Sequence, residues 1–248
     1  MATLPASLPS SLPLPAPAAP QGPGVDEVHE MHADDGWLQS STSLRDGVLH
    51  GPLRTFQADG VPESEVSYVA GQRDGLQRLY DDQGRLAMES TFRQDVQEGP
   101  TRVYTEGRLV YDQKFAKGVL HGETVGYTES GDVGVRLAYV AGALEGESQF
   151  FHEGRLVRRS RYRKDKLEGE TLDYDRDGAV VQSAQYKANV LHGVLRRYWP
   201  NGAVMEEILY KQGKPVGLPQ RFDAEGVAQG AVKGAKFFKN IEKLVRGS

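Results

Sequence analysis

The sequence predicts an all-β chain: an array of about eight β-hairpin repeats of 23–24 residues, forming an elongated twisted sheet or open solenoid. Three observations carry that expectation. An opening position recurs at Leu44, Tyr68, Phe92, Phe115, Tyr139, Tyr162, Tyr186 and Tyr210, in steps of 24, 24, 23, 24, 23, 24 and 24 residues. A glycine keeps the same beat at Gly51, Gly75, Gly99, Gly122, Gly146, Gly169, Gly193 and Gly217. Between Arg85 and Phe92 the side chains alternate, with Leu86, Met88 and Phe92 on one parity and Arg85, Glu89 and Thr91 on the other, which is the period of a strand.

In chain order, residues 1–24 read as a disordered tail, because seven of the thirteen prolines fall between Pro5 and Pro23 among alanine, serine and leucine. Met1–Gly24 has no Lys or Arg for the basic end of a signal peptide, and proline interrupts any apolar stretch, so the chain is read as cytoplasmic. Residues 25–43 read as a degenerate half-repeat that caps the array, since Gly36 precedes Leu44 by eight residues as Gly84 precedes Phe92. This acidic stretch carries His29 and His32, a metal-compatible spacing without a third fixed ligand. Residues 44–226 form the array itself.

Each copy reads as a strand of about five residues, a glycine turn and a second strand, with glycine supplying positive φ at the turns. The first strand ends on an aromatic at Phe56, Tyr80, Tyr104, Tyr127, Phe151, Tyr174, Tyr198 and Phe222. Together with the opening aromatics these ladders take 15 of the 19 Tyr and Phe residues, and they are expected to form the core. One buried aromatic returns only about 1.5–3 kcal/mol. A lone hairpin is therefore marginal, and the copies must stack. Residues 227–248 leave the repeat. There Phe237, Ile241, Leu244 and Val245 sit at helical spacing among Lys236, Lys239, Lys243 and Arg246, as in an amphipathic capping helix.

The pattern of paired glycines, an aromatic, a turn glycine and a second aromatic, as in GVLHGETVGYTESG from Gly118 to Gly131, resembles MORN repeats. It is more closely similar to the variant in YwqK-type antitoxin proteins of bacteria. The tetrad VLHG occurs at His50, His121 and His192, with KLEG ending at Gly169 and ALEG at Gly146 as near relatives. The resemblance implies an antitoxin or immunity protein that neutralises a toxin or secreted effector by direct binding. It also leaves open a scaffold or chaperone for an effector, or a phospholipid-associated module.

Composition excludes several classes. There is no cysteine, so disulfides, thiol chemistry and cysteine-held zinc are absent. A net charge of -4 argues against general nucleic-acid binding. Membrane contact through the basic residues 233–246 is the weaker expectation against capping. No phosphate loop or dinucleotide fingerprint occurs, no cofactor is expected, and the chain reads as a non-enzyme with a protein partner. Ser148 follows Gly146 without the second glycine of a nucleophile elbow, and takes the place of Thr124 and Thr171 in other copies. The three VLHG histidines lie 71 residues apart and are expected to support turns rather than converge. Candidate partner contacts are Arg54, Arg78, Arg102 and Arg196, which share one strand position two before an aromatic.

Overall fold

The computed structural model describes residues 25–229. The proline-rich tail expected over 1–24 and the helix expected within 227–248 lie outside the described residues, apart from residues 227–229. The described chain is all-β, with no helix, and divides into two compact units. The first runs to Leu86 and includes Phe92–Val96; the second comprises Ala87–Thr91 and runs on from Gln97.

The first unit holds β1 (Asp26–His32), β2 (Leu38–Arg45), β3 (Val48–Phe56), β4 (Pro62–Val69) and β5 (Gln72–Tyr80). Strand β6 (Leu86–Arg93) contributes residues to both units. The second holds β7 (Val96–Thr105), β8 (Arg108–Ala116), β9 (Val119–Leu120), β10 (Gly122–Tyr127), β11 (Val133–Val140), β12 (Ala143–Leu144) and β13 (Gly146–His152). It continues with β14 (Arg155–Arg163), β15 (Lys166–Tyr174), β16 (Val180–Lys187), β17 (Val190–Tyr198), β18 (Val204–Lys211), β19 (Lys214–Phe222) and β20 (Ala228–Gln229). Within each unit the pairing is antiparallel, and strands pair with their neighbours in sequence as hairpins require. Pairing runs past Gly226, because β20 adds to β19 through Phe222 and Ala228.

Two kinds of turn alternate along the chain. The pair Ala70–Gly71 joins β4 to β5 with φ of 49° and 83°, and positive φ at both central residues is the type I′ geometry that suits twisted hairpins. The longer turn after β5 is closed by Asp81, whose carboxylate accepts from the amides of Gln83 and Arg85.

Gly51, Gly75, Gly169 and Gly193 differ from the expectation that they make turns, because they sit inside strands as bulges, while Gly122 and Gly146 open β10 and β13. Val66 faces Gln77 while Tyr68 faces Arg73, so Ser67 alone spans Asp74, Gly75 and Leu76. Gly75 is at the bulge apex with φ of 113°, and an added Cβ would lie 3.1 Å from that of Ser67. The strand continues through the bulge, which is why typical strands have eight or nine residues rather than five. On its other side the bulge glycine is registered opposite the next opening aromatic, as Gly51 is to Tyr68 and Gly193 to Tyr210. A ring thus stands beside a position without a side chain.

The core also differs from expectation. Every ladder aromatic is only half-buried. The most deeply buried side chains are small hydroxyls, Ser90 and Ser148, each 1% exposed. In the second unit Ser148 faces Ser160, Ser160 faces Thr171, and the row continues through Ala184, Leu195 and Ile208. No helix covers the described sheets, so bulky rings keep one edge in solvent, while small residues in the middle of the strands are overhung by their neighbours.

Candidate functional site

The arginines singled out by their strand position do line up, each in register with a carboxylate on the adjacent strand. In the first unit Glu65 lies between Arg54 and Arg78. Its carboxylate accepts from Arg54 at 2.9 Å and from Arg78 at 3.5 Å. In the second unit Arg102 lies 3.8 Å from Glu89 and 3.6 Å from Asp112. Arg196 donates to Glu207 at 2.8 Å. Where a copy places Val125 or Gln149 instead of arginine, the neighbouring strand supplies Arg136 or Arg159, paired with Glu123 and Glu147. The arginine row is thus an ion-pair ladder within the sheet. Half-exposed pairs of this kind contribute about 0–1 kcal/mol each.

A second charged row in the second unit had no counterpart in the repeat pattern. Arg158 faces Asp173, which faces Gln182, then Arg197, Glu206 and Arg221. Asp173 and Glu206 are 7% and 6% exposed. Asp173 accepts from Arg158 at 2.6 and 3.2 Å and from Gln182 at 3.2 Å. Glu206 accepts from Arg197 at 2.7 Å and from Arg221 at 3.0 Å. The hydrogen bond to Asp173 raises the Arg158 guanidinium above the ordinary arginine pKa. Buried carboxylates demand such partners, since an uncompensated charge out of water costs several kcal/mol. Among the described residues neither carboxylate is bonded to a histidine or hydroxyl, so the chemistry of this row is ion pairing.

The three VLHG histidines do not meet. His50 Nδ1 accepts from the Ala70 amide at 3.5 Å, His121 from Ala141 at 3.3 Å and His192 from Gln212 at 3.4 Å. Each acceptor is the residue before a bulge glycine, and each donor is the first residue of the next type I′ turn. Ser148 belongs to the buried central row. His29 bonds Glu27 at 3.0 Å, and among the described residues no three metal-binding side chains gather. Two shallow grooves open between successive long turns of the second unit. One of 270 Å³ is lined by Leu156, Tyr174 and Arg176, the other of 530 Å³ by Val180, Tyr198 and Pro200.

Residues 191–212 match the model of the MORN repeat variant family. A MORN repeat suggests a module that binds protein or membrane. No curated protein sequence matches the chain. Among solved structures, a mutant of S. aureus TarM in complex with Fondaparinux, alpha-GlcNAc-glycerol and UDP is similar over 38% of this chain and 19% of its own, at 14% identity and a TM-score of 0.30. A second TarM crystal structure is similar over 48% of this chain and 19% of its own, at 15% identity and a TM-score of 0.26. The chain thus spans about a fifth of the length of those proteins.

Proposed function

We propose that this chain is a non-enzymatic repeat module that binds one protein partner, a bacterial toxin or secreted effector, and neutralises it by direct contact. The observation that carries the reading is the division of labour within each copy. Glycines, aromatics and turn acceptors repeat because they build the frame, whereas outward positions such as Arg102, Gln149, Leu172 and Gln220 change from copy to copy. Such a surface offers area rather than a deep cavity, and a standard protein interface needs about 800 Å² per partner. The ladder already neutralises Arg54, Arg78, Arg102 and Arg196 within the sheet, which directs attention to charges that no carboxylate neutralises.

The test is recovery from the native host with a tagged chain, followed by an activity assay of whatever co-purifies. The expected result is one stoichiometric toxic enzyme or effector that the purified chain inhibits at a one-to-one ratio. Recovery only with membranes, or a partner whose activity the chain leaves intact, overturns the reading.

A further inference from the structure

The two series of turns in the second unit lie at opposite ends of its strands, and they carry opposite charge. The type I′ turns with their flanking pairs, residues 116–119, 140–143, 163–166, 187–190 and 211–214, hold Lys117, Arg163, Lys164, Lys166, Lys187, Lys211 and Lys214 against Asp165 alone. The long turns, residues 105–108, 128–132, 152–155, 175–178, 199–202 and 223–226, hold eight carboxylates against three arginines. All seven cations of the type I′ edge are exposed, and among the described residues none is in an ion pair. This contrasts with the arginines of the two charged rows described above, which are matched to carboxylates. Between the cations stand Val119, Val140 and Val190, at 42%, 48% and 43% exposure.

We propose that this edge docks an extended acidic segment of a partner protein, an inference that rests on the protein-binding reading above and names the partner's chemistry. Successive type I′ turns are two strands apart, about 9.6 Å at ~4.8 Å per strand, which a segment in the extended polyproline-II conformation covers in three residues at about 3.1 Å each, with every third side chain on the same face. The matching segment carries a carboxylate at every third position, with apolar side chains between them for the valines. Four fixed carboxylates stand within the strip, the first being Glu98, which accepts from the Lys117 amide at 2.8 Å. Glu145 accepts from the Lys164 amide at 3.0 Å, Glu168 from Ala188 at 2.9 Å, and Asp165 from Leu144 at 2.8 Å. A continuous anionic surface, whether bilayer or nucleic acid, meets those carboxylates head on. A spaced row of acids passes between them.

The probe is a labelled 15-residue peptide of repeating Glu-Ser-Val, compared by fluorescence anisotropy with an isomer whose glutamates are contiguous. The spaced peptide is expected to bind about fivefold or more tightly than its isomer, and less well as salt rises. The variant Lys164→Glu, Lys166→Glu, Lys211→Glu, Lys214→Glu, checked for folding by circular dichroism, is expected to lose about tenfold or more in affinity. Glu129→Lys with Asp177→Lys, on the opposite edge, leaves binding unchanged. Equal affinity for the two peptides, unchanged binding by the four-lysine variant, or sedimentation with phosphatidylserine vesicles without peptide binding each overturns the proposal. If the four-lysine variant still recovers a stoichiometric native partner, this edge is overturned and the protein-binding reading stands.

Discussion

A glycine in a bulge answers to two constraints at once, backbone conformation and the space beside it, and the repeats separate them. Gly193 has φ of 120°, and a Cβ there would lie 2.7 Å from that of Gln185, closer than two such carbons approach. Gly75 has φ of 113° and a milder 3.1 Å approach to Ser67. Gly217 has φ of 85° with nothing within 4 Å, because Ile208 there faces a bulge whose glycine comes first rather than in the middle. Replacement by alanine should therefore cost about 1 kcal/mol at Gly217 and about 2–4 kcal/mol at Gly193, with Gly75 between them, in urea unfolding. Equal losses at all three would mean that backbone conformation alone sets the cost. The glycine period was legible in the sequence, but its role was not. A turn and a bulge both demand positive φ, and only the pairing register, a long-range property, tells them apart. The acid ladder was legible in principle, since Glu65, Glu89, Asp112 and Glu207 each stand three before an opening aromatic. The Asp173 and Glu206 row was not, because bulges such as that between Asp173 and Tyr174 reset the alternation on which a reading of faces depends.

At the scale of the hairpin, each repeat is tied to the next by the residue before its bulge glycine. Histidine does this at positions 50, 121 and 192; elsewhere a carboxylate does, as Glu98 accepts from the Lys117 amide at 2.8 Å and Asp74 from Gln94 at 3.3 Å. The histidine bonds, at 3.3–3.5 Å, are longer than those of Glu98, Glu145 and Glu168 at 2.8, 3.0 and 2.9 Å, and an imidazole nitrogen is a weaker acceptor than a carboxylate. His121→Leu should destabilise by about 0.5–1.5 kcal/mol and speed hydrogen exchange at the Ala141 amide, whereas His121→Glu should match or exceed the parent. Exchange at Ala141 that ignores both changes would remove the tie. A second tie is sensitive to acid. The Arg73 amide and guanidinium both donate to Asp95, and the amide bond first, then the guanidinium, holds that carboxyl below the ordinary aspartate pKa. A lowered native value means that the contribution is complete above the ordinary aspartate range and lost as pH falls below it through the native value. Asn189 makes the same bond to the Leu167 amide at 2.7 Å without titrating. Asp95→Asn should therefore leave the melting temperature near pH 7 almost unchanged and flatten its decline below about pH 4. An unaltered acid decline would exclude Asp95 as a source.

For the whole molecule, the repeat is the unit of both stability and register. Within each unit a copy pairs with its neighbours in sequence, so an array tolerates loss of a complete copy far better than loss of half of one. Outer strands carry features that discourage further pairing: in the first unit β1 is exposed along its whole length and carries Asp26, Glu27 and Glu30, and in the second β19 carries Pro215 and Pro219, which have no amide to donate. Deleting residues 116–139 removes one full copy and joins Phe115 to Val140, both of which precede or enter a type I′ turn. The new junction keeps strand direction, side-chain parity and the bulge opposite the aromatic, now Gly146 against Tyr162 as before. The shortened chain should fold, with strand content per residue unchanged by circular dichroism and a single melting transition. Deleting residues 128–139 instead removes one strand and one turn, so every later strand must run the opposite way and present its other face. That chain should fail to give a cooperative transition. If both deletions fold equally well, the strands are held by local hairpin preference; if neither folds, the copies are not interchangeable and the outward differences between them contribute to the fold itself.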